Sequence, residues 1–141
     1  MPTTTQLVIT EQSKPGVLAR VATVLGAAGV NIKAFSAAEG LGTAKIRKGT
    51  LRFVVADLER ARVALKAEKI PFREEPALVL SLDNKPGALS EVAQHLKEAK
   101  VNITSGYYTP SRQGGKAVVI LTVSNTKKAM DILQEESLDV F

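Results

Sequence analysis

Two short stretches carry the residue types that can hold a small polar ligand. Lys14-Pro15-Gly16-Val17-Leu18 and Lys85-Pro86-Gly87-Ala88-Leu89 each open an amphipathic run, and the runs end in Val30-Asn31-Ile32 and Val101-Asn102-Ile103. Gly16 and Gly87 are placed at a helix start, where backbone N–H groups lack intrahelical partners and the helix dipole is positive, so a small carboxylate can be held there. A missing Cβ lets such a ligand approach the backbone. Asn31 and Asn102 offer amides with both donors and acceptors, the mixture that an α-amino acid requires. Lys14 and Lys85 are expected to point into water, because a ligand cradled by backbone does not need them.

The elements that must position these groups are legible from a repeat. At a constant offset of 71, eleven of the nineteen positions from Lys14 to Ile32 are identical to those from Lys85 to Ile103. Leu7-Val8-Ile9-Thr10 aligns with Leu78-Val79-Leu80-Ser81 at the same offset. Two copies of one unit are therefore expected, 1–75 and 76–141, each small enough to lean on the other. In the first, Gln6–Thr10 reads as a strand, with Pro15 at the first helical position and Ser13 within capping range. Leu18, Val21, Ala22, Leu25 and Ala28 form an apolar helix face that Gly29 ends.

Val30–Ala38 reads as a strand with Ile32, Ala34 and Ser36 on one face and Asn31, Lys33 and Phe35 on the other. A turn at Glu39–Gly42, a strand at Lys45–Ala56, a helix capped by Asp57 and a short strand at Ile70–Arg73 complete the unit. The second copy runs through a strand at Leu78–Leu82, a helix at Pro86–Lys100 and a strand at Val101–Thr109. A turn at Pro110–Gly115 leads to a strand at Ala117–Val123, a helix capped by Asn125 that reaches Gln134, and a closing strand at Leu138–Phe141. Aligning Asp57 with Asn125 changes the offset to 68, so three residues are lost near the central hairpin. Each unit is βαββαβ, an α+β ferredoxin-like plan with antiparallel strands and both helices on one face. Val79, Phe35 and half of Val118–Val123 are then expected to lie bare on the other face, which implies pairing within the chain and between chains.

Composition narrows the function classes. Without cysteine there are no disulfides and no thiol chemistry. No basic leader precedes an apolar stretch, and no apolar run approaches the roughly 18 residues of a membrane span, so the expected setting is the cytoplasm, with no membrane association. The net charge of +5 belongs wholly to the first unit, where twelve Lys and Arg face seven Asp and Glu, while residues 76–141 hold seven of each. Lys45, Arg47, Lys48 and Arg52 cluster there, and a solvated hairpin accounts for them better than an anion site.

Catalysis is poorly served. The one histidine, His95, corresponds to Val24 in the other copy, and no metal-ligand spacing or nucleophile motif occurs. Neither an enzyme active site nor a cofactor or metal is expected. Nucleic-acid binding on the same plan needs aromatics on the third strand. Lys48-Gly49-Thr50-Leu51-Arg52-Phe53-Val54 begins that pattern and fails it, and the second copy has no aromatic in the strand at all.

A strand followed by Lys-Pro-Gly-Val-Leu, a helix and Gly-Val-Asn-Ile in a βαββαβ unit resembles the ACT domain, an amino-acid-sensing module of regulated biosynthetic enzymes. The resemblance covers nearly the whole chain as a tandem pair. It implies a free amino acid bound at an interface between two units. The walls would be Ser13, Lys14, Pro15, Gly16, Val17, Leu18, Asn31 and Ile32, or Asn84, Lys85, Pro86, Gly87, Ala88, Leu89, Asn102 and Ile103. The family's Asp or Asn two residues before the proline is present as Asn84, whereas Ser13 departs from it. A homodimeric sensor is the expected form, with a regulatory small subunit of an enzyme of amino-acid metabolism as the alternative.

Overall fold

In this computed structural model, residues 3–40, 47–110 and 115–133 are described. The elements in order are β1 (Thr3–Gln12), α1 (Val17–Ala27), β2 (Ile32–Glu39), β3 (Lys48–Val55), α2 (Leu58–Ala67), β4 (Arg73–Asp83), α3 (Ala88–Glu98), β5 (Ile103–Pro110), β6 (Lys116–Val123) and α4 (Thr126–Leu133). Thr5–Glu75 forms one compact unit, and the residues from Pro76 onward form another, with which Thr3 and Thr4 group. Lys45, the tips of both hairpins, Gln134 and the closing strand expected at Leu138–Phe141 lie outside the described residues.

In the first unit β3 lies between β1 and β2, antiparallel to both, with Leu7 opposite Phe53 and Phe53 opposite Phe35. The two helices cover one face. Leu7, Ile9, Leu51 and Phe53 alternate inward and meet Val21 and Leu25 of α1 and Ala61 and Leu65 of α2. The second unit repeats this with β6 between β4 and β5, where Leu78, Leu80, Leu82, Val119, Leu121 and Val123 meet Val92 and Leu96 of α3 and Ala129 and Leu133 of α4. Leu25 and its repeat partner Leu96 are fully buried, and burial of each contributes about 1.5–3 kcal/mol. The α+β ferredoxin-like plan in two copies is thus present, and so are both predicted caps. Asp57 accepts from the Arg60 N–H at 3.1 Å and Asn125 from the Lys128 N–H at 3.0 Å.

Three expectations change. The helices begin later, at Val17 and Ala88, because Gly16 and Gly87 adopt left-handed φ values of 96° and 89° and so stand outside the helix as N-caps. Pro15 is therefore not the first helical residue. Second, Ile70–Arg73 is not a separate strand: Ile70 is buried in the core, and β4 runs unbroken from Arg73 through Pro76 to Asp83. Third, β2 carries an irregularity between Ile32 and Ala34, so that Ile32 packs against the core and Phe35 stacks on Phe53, 6.1 Å between ring centroids. One extra residue reverses the alternation, which puts Phe35 on the helix-covered face rather than the opposite one. On the face away from the helices, whose apolar side chains implied pairing, Val79 and Ile120 are only 3% and 1% exposed. The larger exposed apolar side chains are instead Leu18, Phe35, Val63, Leu89, Ile103 and Tyr108. Among the described residues no helix is long and apolar enough to cross a membrane.

Candidate functional site

Each Lys-Pro-Gly turn is held by one backbone bond to the far strand of its hairpin. The Ser13 N–H donates to the Arg47 carbonyl at 2.6 Å, and the Asn84 N–H to the Gly115 carbonyl at 2.6 Å. The chain then turns through the left-handed glycine, a conformation that costs an L-residue about 1–2 kcal/mol and glycine nothing. The first intrahelical bonds run from Arg20 to Gly16 at 2.9 Å and from Glu91 to Gly87 at 3.1 Å. Among the described residues, no side chain caps either helix. The earlier N–H groups of each first turn lack an intrahelical acceptor, and of these Ala88 donates to the Lys85 carbonyl of the turn at 3.4 Å.

A cleft of about 230 Å³ opens beside the first turn, between Ser13, Lys14, Val17 and Leu18 on one side and Ala37, Ala38, Glu39, Gly49 and Leu51 on the other. Ser13 does not cap α1. Its hydroxyl donates to Glu39 Oε2 at 2.7 Å, while Arg47 Nη1 donates to Glu39 Oε1 at 2.8 Å. The Arg47 guanidinium, and next the Ser13 hydroxyl, hold the Glu39 carboxyl below the usual carboxylate range. Glu11 also lines this cleft, with Arg20 4.0 Å away.

The second turn borders a cleft of about 420 Å³, lined by Leu82, Asp83, Lys85, Gly87, Ala88, Leu89, Ser90 and Tyr108. The Tyr108 hydroxyl donates to Asn84 Oδ1 at 2.8 Å. Lys116 Nζ donates to Asp83 Oδ1 at 2.6 Å, with Lys85 Nζ 4.0 Å from the other oxygen, and the Lys116 ammonium keeps the Asp83 carboxyl ionised below its ordinary pKa. The walls thus combine apolar side chains, paired charges and an N-terminal helix turn.

Ser13, Lys14, Val17 and Leu18, and likewise Lys85, Gly87, Ala88 and Leu89, come together at these clefts, with Pro15, Gly16 and Pro86 in the turns and Asn84 held by Tyr108. Asn31, Ile32, Asn102 and Ile103 do not join them within a unit. Ile32 is paired with Val55, at the end of β3 opposite to Gly49, which faces both Glu11 and Glu39. The strand of eight residues separates Asn31 from the cleft by about 23 Å. There the Asn31 carbonyl accepts from Ala56, and Asn102 exchanges two bonds with Ser124, its N–H donating to the hydroxyl at 2.9 Å and its carbonyl accepting from the N–H at 2.8 Å.

The sequence does not single out Glu39, Asp83 and Tyr108 of the cleft walls, or Arg47 and Lys116 as the cations that bond Glu39 and Asp83. A signal for the strand residues existed. A crossover helix returns the chain parallel to the strand it left, so the end of β2, not its start, lies beside the turn after β1. Among the described residues, no three His, Asp or Glu side chains gather as a metal site.

The comparisons agree with this geometry. Protein BT0572 from Bacteroides thetaiotaomicron is 29% identical, with a TM-score of 0.85 over 99% of this chain and 92% of that one. The ligand-free regulatory subunit of aspartate kinase from Thermus thermophilus has a TM-score of 0.58 at 14% identity, over 93% and 90% of the two chains. The corresponding subunit from Thermus flavus has a TM-score of 0.58 at 13% identity, over 96% and 92%. At such identity those two share the fold. No curated protein matches the chain. The family described as the ACT domain pair matches residues 2–141, and with β1 and β4 each turning through Lys-Pro-Gly into a helix, the chain belongs to that family.

Proposed function

We propose that the chain is a non-catalytic regulatory protein of the cytoplasm that binds a free amino acid at the turn of its second unit. The observation that carries this reading is the uncapped first turn of α3, which opens on a cleft walled by Leu89 and Tyr108. Its volume of about 420 Å³ falls within the roughly 300–1,000 Å³ of small-molecule sites. The α-carboxylate takes the Leu89 and Ser90 N–H groups, Ala88 already donating to the Lys85 carbonyl at 3.4 Å, and the side chain lies along the apolar wall. Paired Asp83 and Lys116 leave little net charge beside it, which suits a zwitterion.

Leu89 and Tyr108, 46% and 48% exposed, are not covered within the unit. A second copy of the chain, in a homodimer, completes the wall and brings an Asn31 or Asn102 that its own turn cannot reach. β2 and β5 support such pairing as the outer strands. No charged residue stands between Lys33 and Glu39 in β2, and β5 has none throughout. Ligand that bridges two units favours one arrangement over another, and only that difference in affinity transmits a signal.

The alternative, a small subunit acting through an enzyme of amino-acid metabolism, is favoured by the fold shared with the aspartate kinase regulatory subunits. Co-purification with such an enzyme distinguishes it from a homodimer that works alone. A thermal-shift screen against the twenty amino acids tests the binding common to both readings. Ligand at about 100 times its dissociation constant adds about 2.7 kcal/mol, so at least one amino acid should raise the melting temperature clearly. No shift with any of them at millimolar concentration refutes the reading.

A further inference from the structure

The two turns share a backbone and differ in what already occupies them. In the first unit the ends of the hairpin carry Glu39 and Arg47, and both Glu39 oxygens are engaged, one by the Ser13 hydroxyl at 2.7 Å and one by Arg47 at 2.8 Å. The repeat places Pro110 and Gly115 at those positions in the second unit, so both members of the ion pair are missing there. The backbone bond from the turn to the hairpin is nevertheless the same, 2.6 Å in each copy. Among the described residues, a carboxylate reaches the polar residue that starts the turn in the first unit, whereas the carboxylate in the second cleft, Asp83, is held by Lys116 instead. Where the first copy has Ser13 bound to Glu39, the second has Asn84 bound to the neutral Tyr108 hydroxyl.

A carboxylate tethered beside the turn competes at the high effective concentration of a short intramolecular link. Glu39 lines that cleft, and an incoming carboxylate must break its charge-assisted bond to Arg47 and its bond from Ser13 to displace it. The smaller space there, about 230 Å³ against about 420 Å³, agrees with a cleft partly filled by its own side chain.

Building on the amino-acid reading, we infer that Glu39 is a resident occupant of the first unit's cleft, so that a carboxylate-bearing ligand binds in the second unit alone, one molecule per chain. Glu39 is then the residue that makes two similar turns unequal in specificity.

Native mass spectrometry of the full chain, incubated with an equimolar mixture of the twenty amino acids, counts the molecules bound per chain and weighs them. The wild type is expected to carry one at saturation and Glu39→Ala two. Two molecules on the wild type, or a single one on Glu39→Ala, overturns the inference while leaving amino-acid binding in place. None on either chain overturns the ligand reading itself, and this inference with it.

Discussion

Gly16 and Gly87 have two reasons to be glycine, room for a ligand at the backbone and left-handed φ values of 96° and 89°, and the two separate under substitution. A Cβ built on Gly87 meets no heavy atom within 4 Å, so alanine there creates no clash. It does create strain, about 1–2 kcal/mol for an L-residue in the left-handed region. The narrower unfolded ensemble of alanine returns about 0.4–1 kcal/mol, which leaves Gly87→Ala destabilising by about 1 kcal/mol. Gly26 is the internal control. It lies within α1, its φ is not positive, and its added Cβ also meets nothing within 4 Å. Gly26→Ala should therefore stabilise by about 0.5–1 kcal/mol. Urea denaturation of the two variants beside the wild type is expected to show midpoints displaced in opposite directions. If Gly87→Ala is neutral or stabilising, the left-handed turn is not what requires glycine, and closeness to a ligand becomes its sole justification. A Gly87→Val variant is a poor probe of binding for the same reason, since a β-branched residue at that φ perturbs the fold as well as the cleft.

Two further outcomes follow from the charges and caps. Arg47, Arg62 and Lys116 respectively hold Glu39, Glu74 and Asp83 below their ordinary values of 4.5, 4.5 and 3.8, so these groups add stability above those values and lose it as pH falls through their lowered folded-state pKa. The urea midpoint should therefore drop progressively below about pH 4.5, and because the pairs are exposed the drop should shrink in 1 M salt; a slope untouched by salt removes these pairs as its cause. Asp57→Ala deletes the acceptor for the Arg60 N–H and should cost about 1 kcal/mol in the same assay, whereas an unchanged midpoint means that water caps α2 equally well.

Most elements were readable because the repeat supplied each pattern twice, and an apolar face seen at Val21 and Leu25 was seen again at Val92 and Leu96. What escaped was geometry with no local signature. The irregularity after Ile32 leaves the composition of β2 unchanged and reverses the faces of everything after it, so Phe35 was assigned to the wrong side. Pro76 read as a boundary, yet proline and the residue before it both favour extended backbone, and β4 passes through. At the site, the turn was legible from Lys-Pro-Gly itself. Its opposite wall was not, because Glu39, Arg47, Tyr108 and Lys116 reach the turn only through strand direction and register.

The register also explains why the copies carry their aromatics differently. In the first unit Phe35 faces Phe53 across β2 and β3 and stacks on it, while the next same-face residue, Ala37, is small and lines the cleft. In the second unit the partner of Phe35 is Gly106, opposite Leu121, and a Cβ on Gly106 would lie 2.8 Å from Leu121 Cδ2. Leucine thus fills the space beside the glycine. The aromatic residue stands instead two positions on, at Tyr108, the repeat partner of Ala37, where it walls the larger cleft and bonds Asn84. Moving the ring by one same-face step transfers it from packing to the cleft wall. This agrees, independently of Glu39, with a first unit closed over its own carboxylate and a second unit open for use.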